Sequence, residues 1–403
     1  MASIVNTRGV APGRWAQIGA WRRDGGGFAG RFGWIQAKHR PMRIGIVSKW
    51  IASGQAVVAR QIRSALDEMG HRTFVLARPG SGPRAQAGAA IESGDPVWKQ
   101  PELTAASAHK ISADEYLRWA RVNKLEAILF DENYQFAEVE RLRAEGIRTI
   151  GRFVWEYFGA EHAAPASKAY ETIYSLTLAE QARYRGLGIE SPYLRWGIHP
   201  ELLGIETARS GEGPIRFYFP GSFLGKRKPV RKVIRAFAAV EDPDLRLLIS
   251  AQVDDRGEQL RRAADRDPRI SLELADLPEA EHRAMVAGCD VCIAPTRWEG
   301  LGLPLFEAIA FGMPIITNDK PPMCELVDDQ MSGILVGSHP NGTTRSLLTA
   351  WDPDPDELAA AISQLADPDE LARLRAGTAA LRERRTWSNT ISDLRRLVER
   401  DAD

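Results

Sequence analysis

From Met42 onward, short β-branched runs alternate with stretches whose apolar positions recur every three or four residues. Residues 43–48 (RIGIVS) predict a buried strand, and 49–55 a loop. Val58, Ile62, Ala65, Leu66 and Met69 then fall on one helical face, with Gly70 placed to end the helix. Residues 73–77 (TFVLA) predict a second strand. Strand, helix, strand in this order is a βαβ unit, the building block of parallel sheets.

The alternation continues with strands over 127–130, 148–154, 174–178 and 193–196, and helices over 136–145 and 178–185. Residues 200–214 are polar and Gly-containing and predict a linker between domains. A second α/β half follows. Strands are expected over 215–219, 245–250, 270–274, 291–294 and 314–317, and helices over 230–239, 280–287 and 304–311. Residues 337–356 predict a polar loop, and 356–366, 368–384 and 387–400 predict helices. The expected fold class is therefore α/β, with two Rossmann-like, doubly wound domains facing a central cleft. The first is expected over 42–205 and the second over 206–386, with the helix from Trp387 crossing back onto the first.

Residues 1–41 break the pattern. They carry seven Lys/Arg, a single acid (Asp24) and eight glycines, with no apolar core for a signal peptide, so a flexible leader is expected there. The whole chain has 53 basic and 53 acidic residues, so charge makes no general case for a nucleic-acid partner. Three cysteines cannot build a disulfide framework, which favours a reducing, cytoplasmic setting. The most apolar stretch, 301–317, contains Glu307, two prolines and two glycines and is too short to span a bilayer; a peripheral membrane contact stays compatible with the chain.

Candidate chemistry concentrates in 290–325, DVCIAPTRWEGLGLPLFEAIAFGMPIITNDKPPMCE. An expected strand ends in a loop with glycines at 300 and 302, and Pro304 suits the start of a helix. The N–H groups of Gly302, Leu303 and Leu305 would then face an anion such as phosphate. Glu299 and Glu307 flank this turn, and two acids beside an anion site call for donors such as sugar hydroxyls. The alternative is an ordinary acid-rich helix start. Lys226, Arg227 and Lys228 follow the strand at 215–219, where they either neutralise a diphosphate or form a solvated basic loop.

The segment Glu299, GLGLPLF, Glu307, Ala308, then Gly312 and Pro314 resembles the signature of glycosyltransferase family 4, retaining enzymes of the GT-B fold. The resemblance implies a catalytic group of Glu299, Arg227 and Lys228, with Glu299 positioning the donor sugar. It implies donor binding by Glu307 (on the ribose), Gly300, Gly302, Leu303 and Gly54. Ser222 departs from the family's Gly-Arg version after this strand, while Arg227–Lys228 match its Arg-Lys version. Trp155 and Glu156 stand where many members carry a histidine and are acceptor-side candidates. Glu325 matches a recurrent family acid, for which a helix-start role is the stronger reading. The implied reaction transfers a sugar from a nucleoside-diphosphate sugar to a glycan, lipid-linked or small-molecule acceptor, with no cofactor and no metal. A nucleotide-sugar 2-epimerase and a non-catalytic partner subunit are the alternatives.

Other signals lead elsewhere. Cys289 and Cys292 lie on an apolar strand and are expected to be buried. Asp352, Asp354 and Asp356 predict a solvated turn, His199 a structural role, and residues 80–85 an accidental dinucleotide-like pattern.

Overall fold

The computed structural model describes residues 40–80, 90–91, 94–207, 213–252, 257–344 and 346–399, apart from the side chains of Gln259 and Ala263. The expected leader thus lies almost wholly outside the described residues, as do most of 80–85 and residues 208–212 of the expected linker.

The first sheet contains β1 (Arg43–Ser48), β2 (Arg72–Ala77), β3 (Leu103–Ala105), β4 (Ala127–Asp131), β5 (Arg148–Arg152) and β6 (Thr172–Ile173). All its pairings are parallel, in the order β3-β2-β1-β4-β5-β6. The second contains β7 (Ile215–Ser222), β8 (Leu245–Ala251), β9 (Ile270–Glu273), β10 (Val291–Ile293), β11 (Ile315–Asn318) and β12 (Gly333–Val336), in the order β12-β11-β10-β7-β8-β9. Read from each domain's own first strand, both orders are 3-2-1-4-5-6, the doubly wound arrangement that opens a ligand crevice where the order reverses. Those switch points lie between β1 and β4 and between β7 and β10.

Helices cover both sheets because β1, β2 and β4 are apolar on both faces. Helix Gly54–Glu68 starts at Ser53, whose Oγ accepts from Ala56 N, and buries Val58, Ile62, Ala65 and Leu66. Helix Ala113–Asn123 lies within a stretch where no element was expected. Its Trp119 packs so close to β1 that a Cβ on Gly45 would stand 2.7 Å from the indole. Glycine at that strand position is therefore set by packing. The Ser112-x-x-Glu115 pattern, with Glu115 N donating to Ser112 Oγ, was the overlooked signal for this helix. Helices Ala160–Ala169 and Gly257–Ala264 and strand β3 also lie beyond the expected elements.

Three expectations are corrected. Residues 174–178 and 193–196 are not regular strands; an isolated bridge joins Ser175 and Tyr193, and β6 lies just before them. Residues 337–356 are not a loop but the antiparallel hairpin β13 (Ser338–Thr343) and β14 (Thr349–Pro353), followed by the start of helix Pro355–Ala366. Its polar composition hid it, because hairpin pairing here needs no apolar face. Asp352 is not solvated: it is buried, 3.0 Å from Lys232 Nζ and paired with Arg297, and so pins the hairpin base.

Helix Trp387–Val398 lies against the first domain. Asp393 receives Arg195 Nε at 2.8 Å, Thr390 Oγ1 accepts from Gly197 N at 2.8 Å, and Trp387 stands edge-on to Trp196. A Cβ on Gly197 would reach 2.2 Å from the Thr386 carbonyl, so the chain passes at contact distance only because that residue is glycine. Among the described residues no helix is long and apolar enough to cross a membrane.

Candidate active site

The C-terminal strand ends of the two sheets face a single cavity of about 1030 Å³. From the first domain it is lined by Ser53, Gly54, Gln55, Asp131, Arg152 and Glu156. From the second come Ser222, Arg227, Lys228, the end of β8, residues 275–277, the segment 299–304 and Glu307. Both switch points contribute, which is why residues distant in sequence share one site.

Glu299 is the hub. Its carboxylate lies 3.2 Å from Arg227 Nη1 and 3.2 Å from Lys228 Nζ. Burial alone would raise the carboxyl's pKa, but Lys228 and Arg227 outweigh it and hold it below the ordinary carboxylate range. Burial pushes the Lys228 ammonium down despite the same acid, whereas Glu299 raises Arg227. Arg227 also reaches Glu156 of the first domain at 3.7 Å. Two cations and two acids thus balance across the cleft, and an incoming diphosphate must compete with Glu299 for the cations.

Gly302, with φ of 83°, caps helix Leu303–Ala310 from the left-handed region, a conformation glycine adopts without strain. Gly302 and Leu303 line the cavity, where the helix end leaves main-chain N–H groups for a ligand. Two main-chain N–H groups at this turn, among them the expected one of Leu305, are spent internally. Leu305 N donates to the Gly302 carbonyl at 2.8 Å, and Gly300 N donates to Glu299 Oε1 at 3.1 Å. Gly300 therefore holds Glu299 rather than offering its amide to a phosphate. Gly54 opens the opposing helix, and a Cβ there would lie 3.7 Å from Leu303 Cδ1. Two helix N-termini converge on one point, and their partial positive charges add.

Glu307 lines the same cavity, half-buried, one helical turn beyond Leu303. Burial raises its carboxyl to about 7, against the pull of Arg283 and with the push of Glu279 and Glu201. Its ordinary value is 4.5, so at neutral pH and above the folded protein holds a carboxylate at a cost that the unfolded chain does not carry. Glu307→Gln should therefore stabilise the ligand-free protein at pH 8 by up to about 3 kcal/mol. The gain should disappear below the unfolded pKa, where both states are protonated. Thermal melts across that pH range check this, and a variant no more stable at pH 8 than at pH 4 counts against it.

Trp155 does not line the cavity. Its indole Nε1 donates to the Glu299 carbonyl at 2.6 Å, which makes it a tie between the domains and corrects its reading as an acceptor contact. Glu156 does line the cavity, and its carbonyl accepts from Ser346 Oγ at the hairpin tip, 2.7 Å away. Glu325 sits in its own short helix, yet its carboxylate accepts from Leu178 N and Ala179 N at 2.8 Å, capping a helix of the other domain. Ser222 faces the cavity at a bulge of β7, with no guanidinium in its place. His199 caps helix Pro200–Leu203 and packs on Trp387, and Cys289 and Cys292 are buried. Among the described residues no group of three or more His, Cys, Asp or Glu could hold a metal ion.

Asp131 and Arg152 were missed. They end β4 and β5, and Arg152 is shared between Asp131 at 3.4 Å and Glu180 at 2.8 Å. A polar residue closing each apolar strand was the available signal.

Residues 214–367 match the family model described as Glycosyl transferases group 1. Among curated relatives, the chain is 34% identical over 184 residues to an MMP alpha-(1->4)-mannosyltransferase of Mycolicibacterium hassiacum, covering 44% of this chain and 42% of that one. The chain spans about two fifths of the length of the curated relatives it matches (41% and 42% for two of them). Sucrose-phosphate synthase from Thermosynechococcus elongatus superposes with a TM-score of 0.66 at 16% identity, covering 88% of this chain and 98% of that one. Anabaena Alr3699/HepE in complex with UDP and glucose gives 0.59 at 15% identity, covering 88% and 99%. The protein has the two-domain GT-B fold of glycosyltransferases. Its second domain carries the group 1 glycosyltransferase match.

Proposed function

We propose that this protein is a retaining glycosyltransferase that moves a sugar from a nucleoside-diphosphate sugar to a hydroxyl-bearing acceptor. The observation that carries the proposal is the convergence, in one interdomain cavity, of Glu299, Arg227, Lys228, the helix end at Gly302–Leu303 and Glu307. The pyrophosphate lies between the two cations and the helix end. The ribose hydroxyls donate to Glu307, and the base lies against the end of β8 and residues 275–277. In the transfer the bond from the anomeric carbon to the phosphate oxygen breaks. The acceptor oxygen forms the new bond, and its proton leaves with the phosphate. Negative charge grows on the leaving diphosphate, where Arg227 and Lys228, once shared with Glu299, and the helix dipole stabilise it. These groups supply the charge stabilisation that a divalent ion would otherwise give, so the reaction is metal-independent in this reading. The group 1 match and the HepE complex with UDP and glucose support a nucleotide-sugar donor.

Purified protein with a UDP- or GDP-sugar, an acceptor panel and a chelator is expected to release nucleoside diphosphate and give a product of unchanged anomeric configuration by NMR. Strict dependence on added metal overturns the mechanism. Release of an epimerised free sugar without acceptor identifies the 2-epimerase alternative, and nucleotide binding without any turnover the non-catalytic one.

A further inference from the structure

We propose that the acceptor end of the cavity is built for an uncharged, hydroxyl-bearing sugar ring, held by Asp131 and Glu156, and that it disfavours a phosphorylated ring. This rests on the transfer reading above and names the acceptor class for that site.

Asp131 closes β4, and Glu156 follows the neighbouring β5, so both stand on the first-domain wall of the cavity. Both are buried, at 6% and 4% exposure. Asp131 uses Oδ1 on Arg152 at 3.4 Å, while its Oδ2 has no hydrogen-bond partner. Glu156 turns Oε1 towards Arg227 at 3.7 Å. Its Oε2 has no partner, although Tyr157 and Trp298 lie close enough to ease its charge. A buried carboxylate oxygen lacking a donor is costly, and native structures supply one. Asp131 and Glu156 both line the cavity, and a ring bound there brings hydroxyl donors to these carboxylates once the packing that now covers the two oxygens opens. Burial raises both carboxyls, as expected of acids short of donors.

The wall also argues against an anion. Its cavity-lining acids are Asp95, Asp131 and Glu156, and Arg152 is the one base among the described lining residues of this domain. Arg152 is already shared with Asp131 and Glu180 and is only 2% exposed. A phosphate on the acceptor ring would meet those carboxylates in a low-dielectric cleft, and among the described lining residues of that wall no cation is uncommitted. The available cations, Arg227 and Lys228, stand on the opposite wall, where the donor diphosphate takes them.

The test uses the full chain saturated with UDP or GDP, whichever stabilises it. Binding of methyl α-glucoside and methyl α-mannoside is compared with that of glucose 6-phosphate and mannose 6-phosphate by calorimetry or saturation-transfer NMR. At least one neutral glycoside should bind ten-fold or more tighter than its phosphorylated counterpart. Asp131→Asn should weaken that binding about ten-fold while nucleotide affinity stays within two-fold, and Glu156→Gln should weaken it likewise. Tighter binding of the phosphates, no binding of either neutral glycoside, or unchanged binding in both variants overturns the inference. Loss of the inference alone leaves nucleotide binding and sugar transfer intact, whereas a protein that binds no nucleoside diphosphate removes the transfer reading itself.

Discussion

Replacing Glu299 with glutamine is expected to cut transfer by about a hundred-fold or more while tightening the protein's hold on the free nucleoside diphosphate. The two effects have opposite signs because Glu299 does two things. Its carboxylate occupies Arg227 and Lys228 at 3.2 Å each in the ligand-free protein, so it competes with the diphosphate for them. Removing that competitor should improve nucleotide affinity by about ten-fold, which is about 1.4 kcal/mol. Transfer falls because a positioned charge beside the reacting sugar is lost, and single electrostatic groups of this kind are worth about 10²–10³ in rate. Stability should fall as well. Lys228 is 4% exposed along its side chain, and breaking a buried pair from one side costs about 3–5 kcal/mol. Added nucleoside diphosphate restores the missing negative charge, so the ligand-induced rise in Tm should be larger in the variant than in the parent. Calorimetric titration and thermal melts read both quantities. Weaker nucleotide binding in Glu299→Gln would show that the carboxylate does not compete with the phosphates.

The same cluster sets a pH dependence in the opposite direction from that of Glu307. The Glu299 carboxyl is held below its ordinary value of 4.5, so its contribution to stability is fully present above that value and is lost as pH falls through the folded pKa.

Arg227→Ala and Lys228→Met are each expected to lower kcat/KM by about 10²–10³, with the double variant losing much less than the product of the two. Both cations act on one pyrophosphate through one shared acid, so removing either disorganises the other's geometry. Arg227→Ala should also weaken domain closure, because Arg227 is the cation that reaches the Glu156 carboxylate across the cleft, at 3.7 Å. Lys228→Met keeps the stem volume and removes the buried charge, so it isolates the electrostatic part. Steady-state rates with donor and acceptor varied separately measure each loss. Rates within three-fold of the parent for both single variants would sever the cations from the reaction.

Glu299 and Glu307 were legible in the sequence because their spacing around a glycine turn and a helix start is a local property. Arg227 and Lys228 were legible only through the family resemblance, because cations after a strand fit a solvated loop at least as well. Trp155 was misread because its ring could be assigned only a neighbourhood, and the direction of an indole N–H depends on the other domain. Asp131 and Arg152 went unread because a polar residue closing an apolar strand is a signal too short and too common along the chain to single out one site. The hairpin Ser338–Thr343 and Thr349–Pro353 escaped for a related reason. It is held by Asp352 against Lys232 and Arg297, contacts that no periodicity announces.

The chain's own order of apolar runs determined two parallel sheets, since strands buried on both faces and joined by amphipathic helices have few other ways to hide from water. It also determined the turn at Gly302, because glycine enters the left-handed region without strain. Only the tertiary structure decided that the two switch points share one cavity and that Glu299 pairs with two cations. It alone gave Gly300's amide to that acid, and left Asp131 and Glu156 each with an unmatched oxygen. The reason is range. Periodicity and turn chemistry act over a few residues, whereas a buried charge is governed by whatever groups folding brings within about 4 Å of it, wherever they lie along the chain.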